Sequence, residues 1–359
     1  MKLFAARAAV LLLVAVALLT LPGRAEHITI GLAIPQGVTD GGGMAAATEL
    51  GLFKAEGLEP EFIVFQGAGA LLPQVATKQI LIGLPLTEPV LASYQPGNAP
   101  LPVVFFYNAS PYNGMELAVL ADGPVQTIAD LRGKAIGVGA MTWGTLPQTR
   151  SLLRNSGLHP GSDVDIVPVG ILGAGFNALR TNRVAALNFN ENWIDLLEKQ
   201  GTKVRRLTFP PTYRRMISNA FVAHQDTMKS NSEVLARFGR VVTESAFICN
   251  ANPRFCVDAF WRAHPESKPK EGDPTQNLAE ALATVTKSSG KFLDDETGHE
   301  RSFGQFDLGI IRDYVKAMQE SGEFATIDIP VDKLFSNALV PEFVKFDRAA
   351  LIERAQAAH

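Results

Sequence analysis

From His27 onward the chain repeats one unit: a short apolar run, a loop of small or polar residues, then a longer amphipathic segment. Strands that alternate with helices in this way pack as a largely parallel sheet, because each helix has to return across a sheet face. Residues 28–34 read as the first strand, 36–43 as a glycine-rich loop and 44–53 as a helix. A strand at 60–65 with a loop at 66–70, and a strand at 80–84 with a loop at 85–88, repeat the pattern. After a strand at 103–107 and an extended segment at 115–120, the same grammar restarts. Strands at 135–138, 164–169 and 184–187 lead into loops at 139–145, 170–175 and 188–192, and an extended segment at 218–223 reads as the chain returning.

The prediction is an α/β fold of two lobes, each a mixed, mostly parallel sheet flanked by helices, joined by two crossing segments. The expected boundaries are 26–118 and 219–359 for the first lobe and 119–218 for the second. Ligands of open α/β sheets bind outside the carboxyl ends of the strands, so the loops of both lobes should face a shared cleft. The helical stretches at 231–249 and 306–321 read as scaffold.

The length of 359 residues fits two such lobes, and 47% apolar content supplies their cores. A formal charge of -3 offers no concentrated basic face, so nucleic acid is not an expected partner. Residues 1–25 read as a cleaved signal peptide: Lys2 and Arg7 precede an apolar run at 8–21, and Gly23 and Ala25 set the small-residue spacing of a cleavage site. As a helix that run spans about 21 Å, short of the roughly 30 Å of a bilayer core. No cysteine precedes Cys249, so a released periplasmic protein rather than a lipoprotein is expected, working as a monomer without a cofactor.

Cys249 and Cys256 flank Asn252-Pro253, which breaks the helical pattern. Two readings stay open, a disulfide across the break or two separately buried thiols. A metal site is not expected, because no His or further Cys stands nearby at ligand spacing.

Four stretches carry a family resemblance: ELGLFKAEGL at 49–58, TIADLRGKAIGV at 127–138, LLRNSGL at 152–158 and ALRTNRVAA at 178–186. In order and spacing the chain resembles the periplasmic substrate-binding proteins of ABC importers, in the group that serves nitrate, taurine, aliphatic sulfonates and pyrimidine precursors of thiamine. The resemblance implies a periplasmic binding protein type II fold, delivery of a captured small molecule to permease subunits of an ABC transporter, and no chemistry on the ligand. The third loop departs from the group, reading LPLTEP at 84–89. The cysteine-rich run of the related pyrimidine-precursor synthases is missing, as are a Gly-x-Ser-x-Gly elbow and a phosphate loop, which disfavours an enzyme.

The strand-end loops supply the candidate ligand contacts. Gln36, Asp40, Gly41 and Gly42 lie in the first, where glycines would let backbone amides approach a ligand; a plain turn is the alternative. Gly67 and Ala68 repeat the argument in the second. Thr87 and Glu88 follow the third strand, with Glu88 equally suited to a helix dipole. Asn108 and Tyr112 lie beside the first crossing. Thr142, Trp143 and Thr145 offer hydroxyls and a flat ring, against a packing role for Trp143. Asn188, Asn190 and Glu191 crowd another strand end, with Asn190 also a natural N-cap. These loops carry Asp40, Glu88 and Glu191 but no Lys or Arg. That balance favours an aminopyrimidine-like or aromatic solute over a sulfonate, nitrate or carboxylate, unless Arg150, Arg214 or Arg215 reaches the cleft. A ligand-loaded sensor for a membrane receptor would use the same shell.

Overall fold

A computed structural model describes residues 25–110, 112–294 and 299–359. Apart from Ala25, the expected signal peptide lies outside the described residues. In chain order the first units are β1 (Glu26–Leu32), α1 (Val38–Glu49), β2 (Leu58–Val64), α2 (Ala68–Ala76), β3 (Ile82–Leu84), α3 (Glu88–Ala92) and β4 (Val103–Asn108). The second series is β5 (Met115–Leu120), β6 (Lys134–Val138), α4 (Leu146–Asn155), β7 (Val164–Pro168), α5 (Gly173–Arg180), β8 (Ala186–Asn190), α6 (Glu191–Lys199) and β9 (Val204–Leu207). A short α7 (Pro211–Arg215) and β10 (Ala220–His224) bring the chain back. It ends in α8 (Ser232–Ala251), α9 (Pro253–Ala263), α10 (Pro274–Leu293), α11 (Leu308–Glu320) and α12 (Arg348–Ala357).

Two five-stranded sheets result, in the orders β2-β1-β3-β10-β4 and β7-β6-β8-β5-β9. The first is parallel except for β10, which runs antiparallel to both β3 and β4. In the second, β5 runs antiparallel to β8 and β9. Every residue of β10 is buried, as befits a central strand covered on both faces. β5 lies wholly in the second sheet, so the boundary expected at 118 moves back: the first crossing is 109–114 and the second 208–219.

The lobes share a core on their hinge side. One apolar cluster runs from Phe105 of β4 through Leu117 of β5 and Leu152 of α4 to Met216 and Ile217 of the second crossing, and on to Tyr314 and Met318 of α11. Glu323, just past α11, binds both Arg150 and Arg154 of α4, with Arg150 Nε at 2.9 Å. Arg150 is thereby held outside the main cleft.

The first glycine-rich loop is not a loop. Gly41, Gly42 and Gly43 lie inside α1, and the Gly41 amide already donates to the Gly37 carbonyl at 2.8 Å. Glycine disfavours helix interiors, but here tertiary packing demands it. A Cβ on Gly41 would stand 2.6 Å from the Phe260 ring, and one on Gly42 3.2 Å from the Cys256 carbonyl oxygen. The run lets α1 settle directly onto α8 and α9. At that junction Cys249 and Cys256 are bridged across the Asn252-Pro253 break, with Cα atoms 5.5 Å apart. No described helix is long and apolar enough to cross a membrane.

Candidate functional site

Between the lobes lies a cavity of about 830 Å³. Its first-lobe wall comes from the strand-end loops and α1, its second-lobe wall from the loop before α4 and the N-terminus of α6, and its floor from the two crossings. Among the residues predicted from sequence, Gln36, Asp40, Gly67, Ala68, Asn108, Tyr112, Trp143, Thr145, Asn190 and Glu191 line it.

Several of these have defined partners. Tyr112 donates its hydroxyl to Glu191 Oε1 at 2.7 Å, and its own ionisation is pushed up, chiefly by burial and then by that bond. Asn190 caps α6, accepting from the Trp193 amide at 3.0 Å while facing the cavity. Trp143 is mostly a packing residue, set against Phe189 and Trp193 and seated on Gly139, with one edge on the cavity. Asn108 donates to the Gln305 carbonyl at 3.0 Å, which leaves its buried Oδ1 without a partner. Thr145, at the N-cap of α4, has a buried hydroxyl that is likewise unpartnered. Asp40 remains solvent-accessible but is walled in by protein. That loss of surrounding water, reinforced by nearby Glu191, pushes its carboxyl up to about 6 against the hydrogen bond from Thr39.

Gly41, Gly42, Thr87, Glu88, Thr142 and Asn188 do not line the cavity. Gly41 and Gly42 face α9, because the helix consumes the amides that a loop would have offered. Thr87 and Glu88 are buried at the start of α3, where Tyr314 donates to Glu88 Oε1 at 3.3 Å and burial pushes the Glu88 carboxyl up to about 7. Asn188 is buried in the second lobe, accepting from Thr149 at 2.9 Å and donating to the Glu116 carbonyl at 3.1 Å. Thr142 joins the lobes instead, through its hydroxyl to the Gln66 carbonyl and its own carbonyl to the Gly69 amide.

The cavity also contains what the loops did not show. Arg215, Arg301 and the C-terminal residues Ser289, Phe292, Phe303 and Phe306 line it, so α10 and the segment after it form a wall and not merely scaffold. Lys291 of α10 reaches Glu191 at 3.0 Å. The cleft thus contains cations, and the absence of Lys and Arg from the loops does not describe it. Arg215 was legible as a cation near the second crossing, whereas the approach of α10 had no local signal.

Comparison with known proteins follows this geometry. The fold is similar to the alkanesulfonate-binding protein SsuA from Xanthomonas axonopodis pv. citri, solved bound to MOPS, with a TM-score of 0.62 and 13% identity over 86% of this chain and 98% of that one. It is similar to the periplasmic nitrate-binding protein NrtA from Synechocystis PCC 6803, with a TM-score of 0.63 and 14% identity over 91% of this chain and 90% of that one. A desulfurization enzyme, DSZB, is a more distant likeness, with a TM-score of 0.50 and 15% identity over 89% of this chain and 99% of that one. Among curated proteins no sequence matches this chain. The model of the NMT1/THI5-like family matches residues 39–255, the stretch that holds both crossings and the strand-end loops after the first, and the chain belongs to that family.

Proposed function

We propose that this chain is the extracytoplasmic solute-binding component of an ABC importer, which captures a small organic solute between its lobes and hands it to permease subunits unaltered. The observation that carries this reading is the interlobe cavity of about 830 Å³, bounded by both lobes and both crossings. A space of that kind is filled by a solute of drug-like size, with polar groups fixing orientation and aromatic rings supplying contact. The family and the likeness to periplasmic binding proteins support the same reading and a periplasmic location, and we propose that the protein works as a monomer. Asp40, Glu191, Tyr112 and the ring edge of Trp143 suit a weakly basic, aminopyrimidine-like or aromatic solute.

Arg215 favours a second reading. It lines the cavity, is exposed to it, and has no ion-pair partner among the described residues, so a sulfonate or carboxylate could be met there.

A thermal-shift panel on the protein from Glu26 onward tests both readings. A bound solute at 100 times its Kd adds about 2.7 kcal/mol, which raises Tm by several degrees. Amines and pyrimidines should raise it, and the recovered compound should be unchanged. A response confined to sulfonates moves the assignment to Arg215, and conversion of the compound would make the chain an enzyme.

A further inference from the structure

Lys291 sits in a cage. Its ammonium lies 3.0 Å and 3.3 Å from the two oxygens of Glu191, 3.2 Å from the Tyr112 hydroxyl and 4.9 Å from the centre of the Tyr112 ring. Both carboxylate oxygens, a hydroxyl and an aromatic face are the elements that recognise a small organic cation. Glu191 and Tyr112 line the cavity, and Asp40 lines it too, close enough for Glu191 to raise its carboxyl. Two carboxylates therefore share this end of the cavity with the Lys291 ammonium, which contacts both Glu191 and Tyr112, and with the nearby Arg301 guanidinium, which lines the cavity and donates to the Lys291 carbonyl.

That ammonium comes from α10, which packs on α1, α8 and α9 of the first lobe through Leu278, Ala281, Leu282 and Val285. Of the twenty residues of α10, Val285 and Ser289 are the buried ones. Its links to α6 of the second lobe are polar: Lys287 to Asp195 at 3.4 Å, Lys199 to Thr284 at 3.2 Å, and Lys291 to Glu191. The first two are exposed and individually weak, whereas the Lys291–Glu191 pair is partly buried.

We infer that Lys291 is a built-in stand-in for the ligand: the solute carries an ammonium or amidinium group, and that group displaces Lys291 from the Glu191–Tyr112 cage. This rests on the cleft being a solute site, as proposed above. Binding of a cation then has to overcome the internal ammonium, so removing Lys291 tightens cationic ligands and leaves neutral ones alone.

The test is calorimetric titration of the protein from Glu26 onward with benzamidinium, with benzamide as its neutral isostere and with benzenesulfonate. Lys291→Met should tighten benzamidinium about fivefold to tenfold and leave benzamide unchanged. Lys287→Met makes the same change in net charge outside the cage and should leave benzamidinium affinity unaltered. Lys291→Gln, which matches methionine in reach but is polar, guards against a packing artefact and should behave like Lys291→Met. If Lys291→Met weakens or fails to change benzamidinium binding, or Lys287→Met tightens it equally, the inference is overturned while the cleft stands as a solute site. If Lys291→Met weakens benzenesulfonate, the lysine contacts an anion and the inference is overturned in the opposite sense. No binding of any probe to any variant overturns the reading of the cleft itself, and the inference with it.

Discussion

The carbonyl oxygen of Thr142 accepts the Gly69 amide at 3.2 Å, tying a loop of the second lobe to the start of a helix in the first. Next to it Gly67 holds φ at +99°, and a Cβ there would stand 2.6 Å from that same carbonyl oxygen. A contact that spans the two lobes has to break if they part. Gly67→Ala should therefore hold the lobes apart, since backbone cannot yield as a flexible side chain would. We expect a larger radius of gyration in X-ray scattering and ligand affinity reduced at least about tenfold, in proportion to the lost closed fraction. An unchanged scattering profile would remove Thr142 from the closing contact.

Glu88 makes stability depend on pH. Its carboxyl rises from 4.5 to about 7, chiefly through burial. The folded state then holds a proton that the unfolded chain gives up at lower pH. The associated stability is full below about 4.5 and is lost as pH climbs through 7. The upper bound on that loss is on the order of 3 kcal/mol. Glu88→Gln should leave Tm unchanged at pH 4 and raise it by several degrees at pH 8. A Tm difference that does not vary with pH would show that Glu88 titrates in the fold as it does in the unfolded chain.

The bridge between Cys249 and Cys256 closes a short loop at the junction of α8 and α9. Chain entropy for a loop of that length gives about 2–3 kcal/mol. Reduction of the wild type, or the Cys249→Ser/Cys256→Ser double variant, should lower Tm by roughly 3–5 °C. The reductant should have no further effect on the double variant.

Gly41 tests the packing of α1. Gly41→Val raises helix propensity but drives a side chain into the Phe260 ring. Overpacking of that kind costs about 1–3 kcal/mol, so chemical denaturation should show a lower midpoint with an unchanged slope. Stabilisation would mean that the glycines are not required for close approach.

The alternation of strand, loop and helix was legible because each unit writes its own period into the sequence. So was the shared cleft, which follows from where strand ends lie in such sheets. Gly41–Gly43 misled because the residues that need their small size, Phe260 and Cys256, come some two hundred positions later. Glu88 misled for a related reason: a carboxylate after a strand reads the same whether it faces a ligand or a buried tyrosine such as Tyr314. Lys291 left no trace at all, since nothing near α10 records that Tyr112 and Glu191 will be its neighbours.

β10 sits between β3 and β4, pairing Val222 with Gly83 on one side and with Phe105 on the other. The strand that joins the halves of the first sheet is thus made only after the whole second lobe. At about 5–20 residues per second, β4 waits about 5–20 s with neither edge paired in the sheet. The first sheet cannot lock early, and the order of synthesis alone makes the inner edge of β4 the place where a nascent chain of this kind has to be kept from pairing with the wrong strand.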